Sequence, residues 1–201
     1  MTPSKRLFDL LVAFVLCAIL APVILIMAVV IIVLDGRPVF YISERMKTPM
    51  QGFSLIKFRT MKPVAFDSGV SGGDKSNRIT QTGNFLRRSR LDEVPQLWNV
   101  LKGDISFVGP RPPLRQYVER FPEIYGHVLM SRPGITGLAS VYFHQHEEHL
   151  LARSRSTAET DAIYSRACVP RKARLDLIYQ ARRSLCMDVA IMLKTVFKKL
   201  R

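Results

Sequence analysis

Two adjacent carboxylates, Asp92 and Glu93, are the residues of this chain whose types and spacing point most directly to chemistry. Three arginines precede them: Arg87, Arg88 and Arg90. Pro95 follows them, and proline is best tolerated in the first turn of a helix. Apolar residues then recur at helical spacing, at Val94, Leu97, Trp98 and Leu101. The pattern predicts that the acid pair lies at the N-terminal end of a short helix.

That position suits an ionised carboxylate, because the free N–H groups and the dipole of a helix N-terminus favour negative charge. The same end of a helix binds anions such as phosphate. An ionised Asp92 beside phosphate and arginines could be a nucleophile or a metal ligand. The alternative is structural, since Asp is a preferred N-cap residue and Asp92 could simply cap the helix.

Other basic residues stand where they could hold a phosphate. Lys57 and Arg59 come at the end of a predicted strand, although charge is also usual on a solvated edge strand. Arg111 lies among the three prolines of residues 109–113, and such a rigid frame lowers the entropy cost of clamping a phosphate. The alternative for Arg111 is a solvated side chain in a turn before a helix. Arg132 lies in a second loop of this kind, with two glycines after it.

A histidine metal site is a further hypothesis. His144, His146 and His149 lie with two glutamates in the run HQHEEH. Their spacing fits neither the HExxH nor the HxxEH pattern, which favours a polar helix start over a metal site. The sequence leaves the role of residues 144–174 open.

The net charge and the length of the chain limit the kinds of partner and fold that it can have. The chain has 201 residues, enough for one domain of ordinary size and an attachment segment. Its 30 Lys and Arg against 16 Asp and Glu give a formal net charge of +14. That excess implies an anionic partner: nucleic acid, acidic lipid headgroups or phosphorylated substrates. The three cysteines form no CxxC pair, which indicates reduced, cytosolic thiols rather than a disulfide framework.

An apolar N-terminal segment is expected to attach the rest of the chain to a membrane. Leu10 to Leu34 contains no charged residue, and as a helix it would rise roughly 37 Å, enough for a bilayer core of about 30 Å. Pro22, in the middle, predicts a break or kink. Both flanks are basic, which favours a re-entrant helix-break-helix with both ends on the cytoplasmic side over a Pro-kinked spanning helix.

The rest of the chain predicts short strands and amphipathic helices. Strands are expected at 39–42, 53–58 and 105–108. Two basic helices are expected at 170–183 and 185–201, and the second carries an apolar face suited either to the membrane interface or to a protein core. The predicted fold class is α+β and mainly helical, with a short β-hairpin and interfacial helices.

Several ordered motifs resemble the bacterial sugar transferases, the monotopic phosphoglycosyl transferases. They are KRLFD, KFRTM, RITQTGNFLRRSRLDEVPQLWNVLKGDISFVGPRP, RPGITG and LDLIYQARRSLCMD, and together they cover nearly the whole chain. The resemblance implies an enzyme that transfers a sugar-1-phosphate from a UDP-sugar to a polyprenol phosphate such as undecaprenyl phosphate. UMP is released, and assembly of a glycoconjugate begins.

The resemblance also implies roles for individual residues. Asp92 would be the nucleophile that forms a phosphosugar-enzyme intermediate, and Glu93 would bind Mg²⁺. Three residues match basic positions around the phosphates: Lys57, Arg87 and Arg111. Arg132 matches a loop near the uridine, and Asp176 matches a further acidic position. Pro22 matches the break of a re-entrant helix.

The expected organisation is a membrane anchor at 1–36 and a cytosolic catalytic domain at 37–201, monotopic on the cytoplasmic face of a bacterial inner membrane. Its partners would be the UDP-sugar, the polyprenol phosphate and membrane lipids, not nucleic acid. The competing hypothesis is a membrane-tethered basic module that binds acidic lipid or nucleic acid without catalysis. The sequence leaves open the sugar, the glycan pathway and the oligomeric state, of which a homodimer is one option.

Overall fold

The computed structural model describes residues 1–64 and 69–197. Nine α-helices in this part of the chain are α1 Pro3–Asp35, α2 Gln81–Ser89, α3 Leu97–Lys102, α4 Arg115–Arg120, α5 Pro122–Val128, α6 Leu138–Leu151, α7 Thr157–Ile163, α8 Val169–Arg182 and α9 Leu185–Phe197. Four strands accompany them: β1 Phe40–Met46, β2 Gly52–Phe58, β3 Ser106–Val108 and β4 Gly134–Thr136. The predicted class, mainly helical α+β with a two-stranded hairpin, is confirmed.

Helix α1 begins where its sequence provides a cap. The Thr2 side chain accepts a hydrogen bond from the backbone N–H of Lys5, and Pro3 occupies the first turn. The helix ends before Gly36, whose φ of 77° favours glycine. Between these ends the helix is continuous through Pro22, and a kink at Pro22 stays a prediction. A proline removes only one backbone donor, and the hydrogen bonds of the flanking turns continue the helix on both sides.

Of the described helices, α1 is the one long and apolar enough to cross a membrane. Much of its surface is both exposed and apolar, at Leu7, Leu11, Phe14, Val15, Ile19, Leu25, Ile26, Val29, Val33 and Leu34. An apolar face of this extent on a protein surface marks an interaction site for membrane or protein.

The opposite face of α1 packs against the rest of the protein along most of its length. Ala13 belongs to the same buried cluster as Val100, and Ile31 belongs to a cluster with Phe58 and Leu86. The predicted division into an anchor and a catalytic domain stays a prediction, but these contacts join the two parts in one packed unit.

Both ends of α1 are also held by polar contacts. Near its start, the Lys5 ammonium lies 2.5 Å from Asp188 of α9, and Arg6 donates to the carbonyl oxygens of Val100 and Leu101. At its other end, Arg59 donates to the carbonyl oxygens of Asp35, at 2.8 Å, and Gly36. Asp35 in turn accepts from the hydroxyl of Thr80.

Two small sheets frame the middle of the chain. Strands β1 and β2 form an antiparallel hairpin in which Tyr41 faces Lys57 and Arg45 faces Phe53, and both strands are longer than predicted. Strands β3 and β4 pair in parallel. At β4 a Cβ on Gly134 would lie 2.3 Å from the backbone N of Gly109, so only glycine permits this approach of the two backbones.

The C-terminal helices form the second half of the core. Helix α8 packs against α5 and α6, around a buried cluster that includes Tyr117, Tyr164 and Val169. The two predicted basic helices are confirmed as α8, which begins and ends one residue earlier than predicted, and α9, which begins at the predicted residue. The predicted end of the second, Arg201, lies outside the described residues.

Candidate active site

A sharp turn in the backbone places the acid pair. Helix α2 ends at Ser89, and Arg90 adopts a left-handed conformation with φ 57° that redirects the chain. A 3₁₀ helix follows at Leu91–Gln96 and leads directly into α3. Asp92 and Glu93 therefore lie in the first turn of a helix, as predicted. The capping alternative for Asp92 is wrong, because Arg90 is the N-cap and no side chain caps this helix.

Asn99 fixes this turn against the hairpin. Its side chain accepts from the backbone N–H of Ile56 at 3.1 Å and donates to the carbonyl of Ser54 at 2.8 Å. Asn99 is almost fully buried. These bonds hold α3 beside β2, so the acid pair faces the strand that carries Lys57.

Glu93 is surrounded by cations. Its Oε1 accepts from the Lys57 ammonium at 2.9 Å and from Arg111, and Arg90 lies 3.8 Å away. Burial alone would raise the pKa of Glu93, but the charges of Arg111, Lys57 and Arg90 hold that pKa well below its usual range. Glu93 is therefore ionised at neutral pH.

Asp92 has a different environment. It is buried, and its Oδ1 has no hydrogen-bond partner among the described residues. Burial and the neighbouring charge of Glu93 raise the pKa of Asp92, while Lys57, Arg111 and Arg90 oppose that rise. A buried carboxylate oxygen without a donor, beside several cations, is free to bond to an electrophile or a cation.

Arg87 completes the cationic surroundings of Asp92. Its Nε donates to the hydroxyl of Thr60 at 2.9 Å, which orients the guanidinium. Burial lowers the pKa of Arg87, and the charge of Asp92 opposes this shift. The structure thus brings Lys57, Arg87 and Arg111, three predicted phosphate-binding residues, to the Asp92–Glu93 pair.

Two other predicted residues lie elsewhere. Arg59 is buried at the C-terminal end of α1, where its two hydrogen bonds go to backbone carbonyls. Arg132 lies at the opposite end of α1, with Arg6, Asp9 and Asp104 as its charged neighbours. Among the interactions of the described residues, none joins Arg59 or Arg132 to the acid pair. The Nη2 group of Arg59 bonds to the end of the helix, while its buried Nε has no hydrogen-bond partner among the described residues, and a phosphate-binding role for Arg59 stays a prediction.

Asp176 lies on α8, apart from the acid pair. Burial raises its pKa to about 7, with Glu147 adding to the rise and Lys172 opposing it. The Lys172 ammonium lies 2.8 Å from Glu147, and Glu147 in turn acts electrostatically on Arg111. Within the described part of the chain, the connection between Asp176 and the site runs through this Lys–Glu pair.

The histidines give no metal centre. In the part of the chain that the structure describes, no group of three or more His, Cys, Asp or Glu side chains is arranged to hold a metal ion. His144 lies 3.2 Å from Glu148, and His146 contacts Arg171. Both histidines lie on α6; His144 pairs within the helix, and His146 contacts the neighbouring helix α8.

The residues of the acid pair fit a magnesium ion. Mg²⁺ is commonly bound by one or two carboxylates together with substrate phosphates and water, rather than by a full set of protein ligands. Asp92 provides an unpartnered buried oxygen, and the contacts of Glu93 are all at Oε1, which leaves Oε2 for a ligand. The donor set is therefore suitable in number and in chemical type.

The sequence did not identify two residues that line a cavity beside Glu93. They are Arg45 of β1 and Gln96 of the 3₁₀ helix, and the cavity is also lined by Lys57, Arg111 and Gly134. The hairpin register places Arg45 on the same face as Lys57, because residues of one parity share a face of a strand. Gln96 lies one helical turn beyond Asp92, so the sequence spacing could have predicted that Gln96 lies near the acid pair.

Comparison with known proteins matches the whole chain, residues 1–201, to the family described as bacterial sugar transferase. A UDP-N-acetylgalactosamine-undecaprenyl-phosphate N-acetylgalactosaminephosphotransferase from Aeromonas hydrophila is 34% identical over 96% of this chain and 42% of its own length. An uncharacterized sugar transferase, EpsL, from Bacillus subtilis is 41% identical over 68% of this chain and 67% of its own length.

A third relative is a UDP-glucose:undecaprenyl-phosphate glucose-1-phosphate transferase from Klebsiella pneumoniae, 32% identical over 96% of this chain and 39% of its own length. The chain thus spans about two fifths of the length of two of these three proteins. The named sugars differ between the relatives.

Proposed function

This chain belongs to the bacterial sugar transferase family, and from that premise we propose that it transfers a sugar-1-phosphate from a UDP-sugar to a polyprenol phosphate. UMP is the second product, and undecaprenyl phosphate is the acceptor by analogy with the named relatives. The observation that carries the proposal is the unpartnered, buried oxygen of Asp92 within a group of cations. Such transfers start the assembly of a glycoconjugate.

The first chemical step is a displacement at the phosphorus that bears the sugar. An oxygen of Asp92 forms a bond to this phosphorus while the bond to the bridging oxygen breaks, and the electron pair leaves with UMP. The aspartyl-phosphosugar that results is the covalent intermediate. In a second displacement, an oxygen of the lipid phosphate attacks the same phosphorus and the Asp92 carboxylate leaves. Covalent catalysis thereby divides one difficult transfer into two easier ones.

The cations around Asp92 make the attack feasible. A diphosphate is strongly negative and repels a carboxylate, so the positive charges must offset the charge that develops during transfer. Lys57, Arg111 and Arg87 lie where they can do so, because each acts electrostatically on Asp92 or is bonded to Glu93. Mg²⁺, held by Glu93 beside Asp92, would supply further charge neutralisation when bound.

The alternative of a non-catalytic basic module is less well supported by the arrangement of charges. A binding surface for lipid or nucleic acid presents its cations to the outside. Here Lys57 and Arg111 are directed at a carboxylate in the protein interior, with the Lys57 side chain only 18% exposed. Cations directed inwards onto a potential nucleophile favour catalysis.

We also propose that both ends of α1 remain on the cytoplasmic side, so that the protein enters a bacterial inner membrane from one face. A helix of this length rises about 50 Å and exceeds the bilayer core of about 30 Å. Its packing from Ala13 to Ile31 against a polar protein body, and the contacts at both ends, favour one-sided, re-entrant insertion over a span. The basic residues on both flanks agree with this topology.

The activity is tested with the purified chain in detergent, Mg²⁺, undecaprenyl phosphate and a panel of UDP-sugars, with UMP release as the measurement. One sugar should support turnover, and Asp92→Asn should abolish both turnover and the mass increment of the phosphosugar adduct. Asp161→Asn is the matched control. It is the same substitution at an aspartate that pairs with Arg120, and this pair has no contact with Asp92 or Glu93 among the described residues. Undiminished transfer by Asp92→Asn would refute the proposed mechanism.

The topology is tested with protease-cleavable tags, one at the N-terminus and one in the exposed β1–β2 turn at Met50. Both tags should be cut in inverted vesicles and protected in intact spheroplasts. Cleavage of the N-terminal tag from outside the cell would show a spanning helix.

A further inference from the structure

The cavity beside Glu93 has a composition that the acid pair does not explain. It measures about 20 Å³ and is lined by three cations, Arg45, Lys57 and Arg111, together with Gln96. A group the size of a water molecule needs about 10–15 Å³ measured in this way. The cavity therefore has room for a single small polar group, such as a phosphoryl oxygen, but not for a nucleoside or a sugar ring.

Arg45 differs from the other two cations of the cavity. Lys57 and Arg111 both bind Glu93, whereas Arg45 has no carboxylate within ion-pair distance among the described residues. Among the described residues, its one side-chain hydrogen bond runs from Nε to the hydroxyl of Ser43, at 3.4 Å, so both terminal nitrogens are without a partner there. Burial and the adjacent charge of Arg111 lower the pKa of Arg45. An anion in the cavity would remove this unfavourable charge environment.

Gln96 supplies a second unsatisfied donor in the same cavity. Its side chain is only 2% exposed, and its Nε2 has no hydrogen-bond partner in the part of the chain that the structure describes. A buried donor without a partner is destabilising. It therefore points to a ligand oxygen that completes the site.

The lining of the cavity places Arg45 and Gln96 beside Lys57 and Arg111, the two cations that bind Glu93. Arg45 acts electrostatically on Glu93 and Arg111, whereas Arg87 and Arg90 act on Asp92. A diphosphate bound across the pair would thus have one phosphoryl group near Asp92 and Arg87. Its other phosphoryl group would be near Arg45.

We propose that Arg45 and Gln96 form a phosphate subsite that receives an oxygen of the phosphoryl group leaving with UMP and then an oxygen of the phosphate of the incoming polyprenol phosphate. This inference rests on the proposed function. The sharing follows from in-line displacement, in which the attacking and leaving oxygens lie on opposite sides of the phosphorus. The leaving UMP oxygen is opposite Asp92 in the first step, and the attacking lipid oxygen is opposite Asp92 in the second.

Two variants test the subsite, each with a matched control. Arg45→Gln removes the free guanidinium, and its control is Arg115→Gln, an exposed arginine on α4 that pairs with Glu44. Gln96→Glu replaces the donor by a carboxylate, and its control is Gln51→Glu in the exposed β1–β2 turn. UMP binding is measured by titration calorimetry in detergent with Mg²⁺, and KM is measured for the UDP-sugar and for undecaprenyl phosphate.

Loss of one charge-assisted hydrogen bond corresponds to about a 10- to 100-fold change in affinity. UMP should therefore bind at least about 10-fold more weakly to Arg45→Gln and Gln96→Glu, and the KM of both substrates should rise, while both controls match the wild type. If Arg45→Gln does not fold, Arg45→Lys takes its place and should also weaken UMP binding, because an ammonium lacks the fork of donors.

UMP affinities within twofold of the controls would overturn the subsite. A rise in KM for the UDP-sugar alone would overturn the sharing with the lipid phosphate. The proposed function fails in a different way: a wild-type chain that binds UMP through Arg45 and Gln96 but releases none from any UDP-sugar would refute that function and retain the subsite.

Discussion

Two buried Lys–Glu pairs of almost the same geometry allow catalysis to be separated from stability. Lys57 lies 2.9 Å from Glu93, with side chains 18% and 10% exposed. Lys172 lies 2.8 Å from Glu147, with side chains 14% and 16% exposed. Only the first pair adjoins the nucleophile. Replacing each lysine by methionine keeps the length of the side chain and removes the charge.

Lys172→Met should destabilise the protein more than Lys57→Met does, whereas Lys57→Met should lower the activity more. Removing one partner of a buried ion pair costs about 3–5 kcal/mol when the other charge is left unpaired. Glu147 has no second cation within ion-pair distance among the described residues, so Lys172→Met should cost about 3 kcal/mol or more. Glu93 keeps Arg111, so Lys57→Met should cost less, about 2 kcal/mol.

The effects on activity should have the opposite order, with Lys57→Met the weaker enzyme. Loss of a preorganised donor to the transition state lowers kcat by about 10²- to 10³-fold, and this is the expectation for Lys57→Met. Lys172→Met should retain activity within about threefold per folded molecule, because it touches no part of the proposed reaction path. The free energy of unfolding is measured by denaturant titration in detergent, and UMP release is measured under conditions where each variant is folded. If UMP release follows stability, with Lys172→Met the weaker enzyme, Lys57 has a structural role only.

Three further predictions concern Arg59, Asp176 and Asp92. Arg59→Met removes the two hydrogen bonds to the end of α1 and should lower the free energy of unfolding by about 2 kcal/mol, leaving KM for the UDP-sugar unchanged; a large rise in that KM would restore the phosphate-binding role predicted from the sequence. Because burial raises the pKa of Asp176 to about 7, the folded state holds a proton that the unfolded state releases near pH 4, so stability should fall as pH rises from about 4 through 7. Asp176→Asn should abolish this dependence and stabilise the protein at pH 8 by at most about 4 kcal/mol, and an unchanged pH–stability curve would contradict the assignment. Because burial and Glu93 raise the pKa of Asp92, kcat/KM for the UDP-sugar should fall on the acid side at a pH above the ordinary pKa of aspartate, about 3.9; full activity maintained below that pH would argue against Asp92 as the ionised nucleophile.

Local patterns predicted much of the fold and part of the site. The apolar run, the helical spacing and the turn residues placed α1, α8 and α9, because these signals depend on residues close together in sequence. Lys57 and Arg111 were found in the same way, since each stands in a short segment whose chemistry points to phosphate. Their roles in binding substrate remain predictions, but the structure brings both to Glu93.

Sequence patterns were less informative where the position of a side chain depends on distant parts of the chain. Arg59 follows Lys57 by two residues, yet it lies beyond the end of β2 and its guanidinium reaches the end of α1 instead. Arg45 could be assigned to the site only once the hairpin register was known. Pro22 predicts a break or kink; the helix is continuous across it, and a kink there stays a prediction. The positions of Arg59 and Arg45 are decided by tertiary contacts, which a sequence pattern does not contain.

The ion pair between Lys5 and Asp188 also bears on the order in which the protein is made. These residues are separated by 183 positions, so α1 acquires this partner only after all the residues between them have been synthesised. Until then the apolar length of α1 has no packed protein surface at that end, and a membrane is an environment that can cover it. Under the proposed topology, α1 would therefore insert before the acid pair and its cations are assembled, and the proposed site would be completed at the surface where the proposed lipid acceptor resides.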